Sequence, residues 1–154
     1  MYTIENLLHF LHQLAAIVWL GGVLAVNVFQ LRLGRRHDLA AQQSLLHLAN
    51  FYGQAVIAPA AAVVLVTGLI LVPQTHAAWS ASWVIWGFAG IVGSLVLGAT
   101  LIRATNAELI QIAAGSAPGN PRWLTLNRRA ARLYAINLIV LLSVVWAMVF
   151  QPTL

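Results

Sequence analysis

The chain has 154 residues, 61% of them hydrophobic and 7% charged, with a mean hydropathy of +0.86; soluble domains carry about 25% charged residues, so an integral membrane protein is expected. It contains no cysteine, which excludes disulfides, thiolate metal sites and thiol catalysis. Every basic residue is Arg, and these fall in loops and beside helix ends, the topogenic pattern rather than the basic stripe of a nucleic-acid-binding fold.

The first apolar segment, Leu7–Leu31, is long enough for a bilayer core, which requires about 20 residues. Its N-terminus is acidic (Glu5) and its apolar run exceeds the 7–15 residues typical of a signal peptide, so a retained span is expected. It carries His9 and His12, and ionisable residues inside a span are functional candidates by default. Seven residues on, nearly in line with His12 on a helix of 3.6 residues per turn, stands Trp19, followed by Gly21 and Gly22. Ala15 and Ala16 between them suggest a small-walled niche for a flat cofactor, with an imidazole at one end and an indole at the other.

Three more apolar segments follow, Phe51–Val72, Trp83–Ile102 and Leu133–Phe150, giving four spans in one all-α transmembrane domain over residues 1–154, with helices at about 7–31, 40–72, 83–114 and 130–150. Arg32, Arg35 and Arg36 lie in the first loop, and Arg103, Arg122, Arg128, Arg129 and Arg132 in or beside the third; the second loop and both termini have none. Arg-rich loops stay cytoplasmic, so both termini are expected outside, in the periplasm of a bacterial inner membrane. His9, His12 and His76 then lie near the outer face, and His37 and His47 near the inner one. The second helix is expected to begin before the membrane, near Ala40, with His47, Asn50 and Gln54 on one face, and to kink at Pro59. Gly90, Ser94 and Gly98 form a small-xxx-small series that lets helices approach closely, either within the bundle or in a dimer. Gly115–Pro121 reads as a connector, and Trp79, Trp83 and Trp86 as interfacial anchors.

The carboxylates are Glu5, Asp38 and Glu108, all outside or at the membrane edge, so neither paired acid/base catalysis nor an intramembrane acid relay is available. Asn27, Gln30, Gln54, Thr67, Thr100 and Asn137 are expected to bond between helices, at about 0.6 kcal/mol each. Soft sulfur suits Cu(I), and Met1 and Met148 are the only thioethers. Neutral imidazole serves haem iron well, and four-helix bundles commonly host cofactors in their cores. No Arg lies on the outer side to pair with propionates, which would reach water, His9, His76, Thr75 or Trp79 instead.

The run Leu11-His12, six residues, then Trp19-Leu20-Gly21-Gly22 resembles the first helix of the small bacterial membrane proteins grouped around the copper-resistance protein CopD. That group includes an uncharacterised four-helix branch and, more distantly, the HemJ type of protoporphyrinogen oxidase. Val56-Ile57-Ala58-Pro59 with Thr67-Gly68-Leu69, and the closing Trp146-Ala147-Met148-Val149-Phe150-Gln151-Pro152, resemble the uncharacterised branch. The resemblance implies a haem b on the first-helix histidine, here His12. The HemJ type is thought also to use a later Lys; this chain has none, so that activity is not carried over. The expected protein binds haem b near the outer face on His12, with His9 and His76 as further candidate ligands, Trp19 walling the pocket, and Gly21 and Gly22 admitting a neighbouring helix or the macrocycle. Its expected role is electron transfer or redox/gas sensing, as a homodimer; if it is an enzyme, it is a membrane haem oxidoreductase. The alternatives are a copper- or metal-handling transporter with His9, His12 and His76 as its site, or a non-catalytic membrane partner subunit.

Overall fold

A computed structural model describes residues 3–33, 39–115 and 120–151. His37, expected to be a solvated loop residue, lies outside the described residues, as do Arg35, Arg36 and most of the Gly115–Pro121 connector. Hydrocarbon offers the backbone no hydrogen-bond partners, so each apolar run must satisfy its own peptide groups as a helix. The described chain is helical almost throughout: α1 (Ile4–Leu33), α2 (Leu39–Tyr52), the π-helical turn π1 (Gly53–Ile57), α3 (Ala58–Gln74), α4 (Ser82–Leu97), the π-helical turn π2 (Gly98–Ile102), α5 (Arg103–Gly115) and α6 (Pro121–Phe150). Four continuous stretches are long and apolar enough to cross a membrane: Ile4–Arg32, Gln42–Gln74, Ser82–Ala114 and Pro121–Phe150.

Side-chain pairs fix how these spans run. His12 near the start of α1 meets Thr67 late in α3, Trp86 early in α4 meets Ser143 late in α6, and Gln30 at the end of α1 meets Asn127 early in α6. Neighbours are therefore antiparallel, and the bundle closes up-down-up-down, with the fourth span beside the first. The outward surface is apolar: Ile17 is 69% exposed and Ile139 66%, which water would not tolerate and lipid does.

At about 1.5 Å per residue, helical stretches of 29 to 33 residues outrun a hydrocarbon core of about 30 Å. The excess is at the arginine-bearing end, where α2, α5 and the start of α6 pack around Leu46, Leu109, Trp123, Leu126 and Ala130. A second core, around Ala15, Trp19, Val23, Ala60, Ala61, Val64, Ile91 and Leu141, lies toward the other end. The second helix begins ahead of the apolar run, as expected. The fourth begins at Pro121 rather than near 130, because Asn120 caps it: its side chain accepts from the Arg122 N–H at 2.9 Å, with Pro at the first position, where no N–H is needed.

Pro59 does coincide with an irregularity. Its missing N–H follows directly on π1, where Ala58 N–H reaches back to the Gly53 carbonyl, five residues away. The same reach recurs from Arg103 to Gly98 across π2, with no proline to announce it. In the Gly90 series the first residue packs inside the bundle: a Cβ on Gly90 would strike the Val144 side chain of α6, and one on Gly87 the Met148 methyl. Ser94 is buried, whereas a Cβ on Gly98 would meet nothing within 4 Å.

Candidate functional site

α1 turns His12 toward α3. Its Nδ1 lies 2.8 Å from the Thr67 hydroxyl oxygen, and that hydroxyl lies 2.6 Å from the Val63 carbonyl of its own helix. A threonine has one hydroxyl hydrogen. With that hydrogen donated to the α3 backbone, Thr67 can only accept from His12, which places the imidazole proton on Nδ1 and leaves Nε2 with its lone pair. The ring also lies against a glycine: a Cβ on Gly68 would stand 3.4 Å from His12 Cε1. A half-buried imidazole held by a bond to its far nitrogen and presenting the other as a base is the arrangement that metal-ligating histidines use.

The other expected site residues are placed differently. Trp19 is buried among Ala15, Val23, Ala60, Ala61 and Val64, so small α3 residues fill the niche expected between His12 and Trp19. Gly22 admits a neighbouring helix: a Cβ there would stand 3.0 Å from Ile57 and 3.3 Å from Tyr52. Gly21 faces open space. His9, one turn from His12, is half-buried; His76 is exposed in the loop after α3, with a left-handed φ of 55°. Among the described residues, no three of His, Asp and Glu gather closely enough to hold a metal ion. Thr67 was expected only as interhelical glue. Nothing in the α3 sequence marks Thr67 as the partner of His12, which is fifty-five residues away.

A cavity of about 280 Å³ lies deeper, toward the arginine-bearing end. It separates the second and third spans where π1 and π2 do not touch each other, and its floor is formed by α1 and α6. Asn50, Gln54, Ser94, Arg103, Asn106 and Asn137 line it among apolar walls, and His12 and His47 do not. Of the face expected to carry His47, Asn50 and Gln54, the two amides reach the cavity, while His47 is exposed on α2. Asn106 donates to the Tyr134 hydroxyl at 2.7 Å, yet its Oδ1 and that of Asn137 have no hydrogen-bond partner. Asn137 was expected to bond between helices; its oxygen is instead buried without a hydrogen-bond partner.

Fold and site define an all-helical integral membrane bundle of four spans, with an oriented histidine toward the end that carries its termini and a polar cavity in its interior. The chain belongs to the family described as predicted integral membrane protein (DUF2269), which matches residues 6–152. No curated protein and no solved structure matches it.

Proposed function

We propose that this protein is a haem b-binding membrane protein of the bacterial inner membrane, with His12 as an axial ligand, its termini outside, and a role in electron transfer or in sensing a redox-active or gaseous ligand. The narrower kinship with CopD-like and HemJ-like proteins belongs to the same proposal. One observation supports it: the His12–Thr67–Val63 chain of contacts, in which a Thr67 hydroxyl that donates to Val63 would accept from His12 Nδ1 and leave Nε2 as the base. The donor fits the group. The niche between His12 and Trp19 does not fit a macrocycle, because Ala60, Ala61 and Val64 occupy it. The ring would instead lie on the outward apolar surface beside His12, where Leu11 is exposed, and a second copy of the chain would cover it. C₂ pairing is the commonest way to supply such a cover.

One-electron exchange or gas capture at iron is what a bound haem supplies. The chain's own residues set how it would be held. Thr67 orients the imidazole, and Gly68 lies against its Cε1. The test is the visible spectrum of detergent-purified protein from haem-replete cells, oxidised and then dithionite-reduced. A Soret band at one haem per chain or per dimer, lost in His12→Ala, supports the reading; a shift of that band with carbon monoxide marks an open sensor-like site, and no shift a closed electron carrier. A colourless wild-type protein overturns it.

A further inference from the structure

We propose that the cavity between the second and third spans binds the head group of a membrane-dissolved quinone or quinol. Four observations converge. First, Asn106 and Asn137 are only 2% and 6% exposed, and the Oδ1 of each lacks a partner. Buried amides are almost always satisfied, so two incompletely paired amides among the residues that line one cavity point to a ligand toward which they would turn to complete their bonds. Second, both π-helical turns of the chain's described part border this cavity, and such turns inside α-helices concentrate at functional sites. Third, the opening faces lipid: Gln54, Ala58 and Ala99 line the cavity and are exposed on the bundle's outer surface, so the ligand enters from the bilayer. Fourth, the lining holds no carboxylate and includes the Arg103 cation, which disfavours a metal cation.

The chemistry of the lining selects within lipid-dissolved molecules. A carboxamide presents its oxygen to a hydroxyl or, turned over, its nitrogen to a carbonyl. A pair of them suits a group that alternates between a quinol's two hydroxyls and a quinone's two carbonyls. Trp19, Val23, Ile57 and Leu95 supply apolar walls for a flat ring. At about 280 Å³ the space falls just below the range of small-molecule pockets, about 300–1,000 Å³, which suits a head group alone, its tail leaving through the lateral opening. The site shares no residue with His12 and does not rest on the haem reading.

The experiment is equilibrium dialysis of the detergent-purified full chain against ubiquinone-1, oxidised and reduced, with Asn137→Leu, Ala99→Phe and His12→Ala beside the wild type. The expected result is saturable binding of about one molecule per chain, weakened about tenfold in Asn137→Leu, as loss of one hydrogen bond to a buried head group predicts. Ala99→Phe, at the lipid-facing opening, should weaken it at least as much, and His12→Ala should leave it unchanged. Thermal midpoints should not fall in Asn137→Leu, which replaces an unpaired amide with an apolar group of similar size. Equal uptake by wild type, Asn137→Leu and Ala99→Phe overturns the proposal, because it reports partition into the micelle. Absence of saturable uptake by the wild type overturns it too, leaving water or an acyl chain as the occupant. If Asn137→Leu does not fold, Ala99→Phe decides alone.

Discussion

Thr67 has one hydroxyl hydrogen, and its destination decides what His12 can do. With α3's own carbonyl taking it, the imidazole would donate through Nδ1, and its chemistry would rest on Nε2. Thr67→Val removes this acceptor of a half-buried N–H at nearly constant shape. Unmade buried bonds cost about 1–3 kcal/mol; with the ring only partly buried, a loss of about 1 kcal/mol is expected in mixed-micelle unfolding, restored by Thr67→Ser. If His12 holds haem, Thr67→Val should also weaken its retention by about 10-fold or more, the usual effect of losing such a partner, read as chromophore lost on washing. The cavity amides give a paired contrast. Asn106→Leu strands the buried Tyr134 hydroxyl, which now accepts from Asn106, and should cost about 1–3 kcal/mol. Asn137→Leu removes an oxygen that has no partner and should cost nothing measurable in the same assay. Equal losses in the two would show that Asn137 is held by bonds within the protein.

The α4–α6 contact shows how small residues set helix spacing. A Cβ on Gly90 meets Val144, a β-branched side chain with little freedom of rotation, whereas on Gly87 it meets the terminal methyl of Met148, which can swing aside. Gly90→Val should therefore destabilise the bundle by about 1–3 kcal/mol, the cost of overpacking a filled interface, and Gly87→Val by clearly less, both measured by unfolding in mixed micelles. The reverse order would mean that α6 shifts as a body. That Gly90 admits a close helix was legible from spacing, though not whether that helix lay in the bundle or in a dimer; the four spans were legible outright, because lipid permits only helices and an apolar run of that length has one use. π1 was half legible, through Pro59. π2 was not, since nothing in Gly98–Ile102 departs from ordinary helix composition. Polar residues inside the spans were the least readable. Gln30 and Thr67 do bond across helices, but Asn27 and Thr100 bond the carbonyl one turn back on their own helix. A side chain's partner depends on the register between helices, and one helix's sequence does not carry that register. For the same reason His12 was visible as a candidate, while Thr67, fifty-five residues away, was not visible as what holds it.

At the scale of the whole molecule, charge and architecture agree on an axis. Arg32, Arg103, Arg122, Arg128, Arg129 and Arg132 gather at one end of the bundle, where α2, α5 and the start of α6 extend beyond the length a bilayer core needs. The opposite end carries the first residues of α1, the loop between α3 and α4, and the end of α6 at Gln151. The proposed cytoplasmic arginine end, argued from the retention of Arg-rich loops, would set His12 toward the periplasm and the opening of the cavity toward the inner leaflet. The chain lacks cysteine, so a single introduced thiol reports its own side without background. Gln74→Cys, exposed at the end of α3, should react with a membrane-impermeant maleimide in intact cells; Gln111→Cys, exposed on α5, should react only after the membrane is opened. The opposite pattern would turn the molecule over, put His12 within reach of cytoplasmic donors, and move the cavity opening to the outer leaflet. Labelling of both positions in intact cells would mean that the helices do not hold a single orientation, and the assignment of His12 to an outward redox site would fall with it.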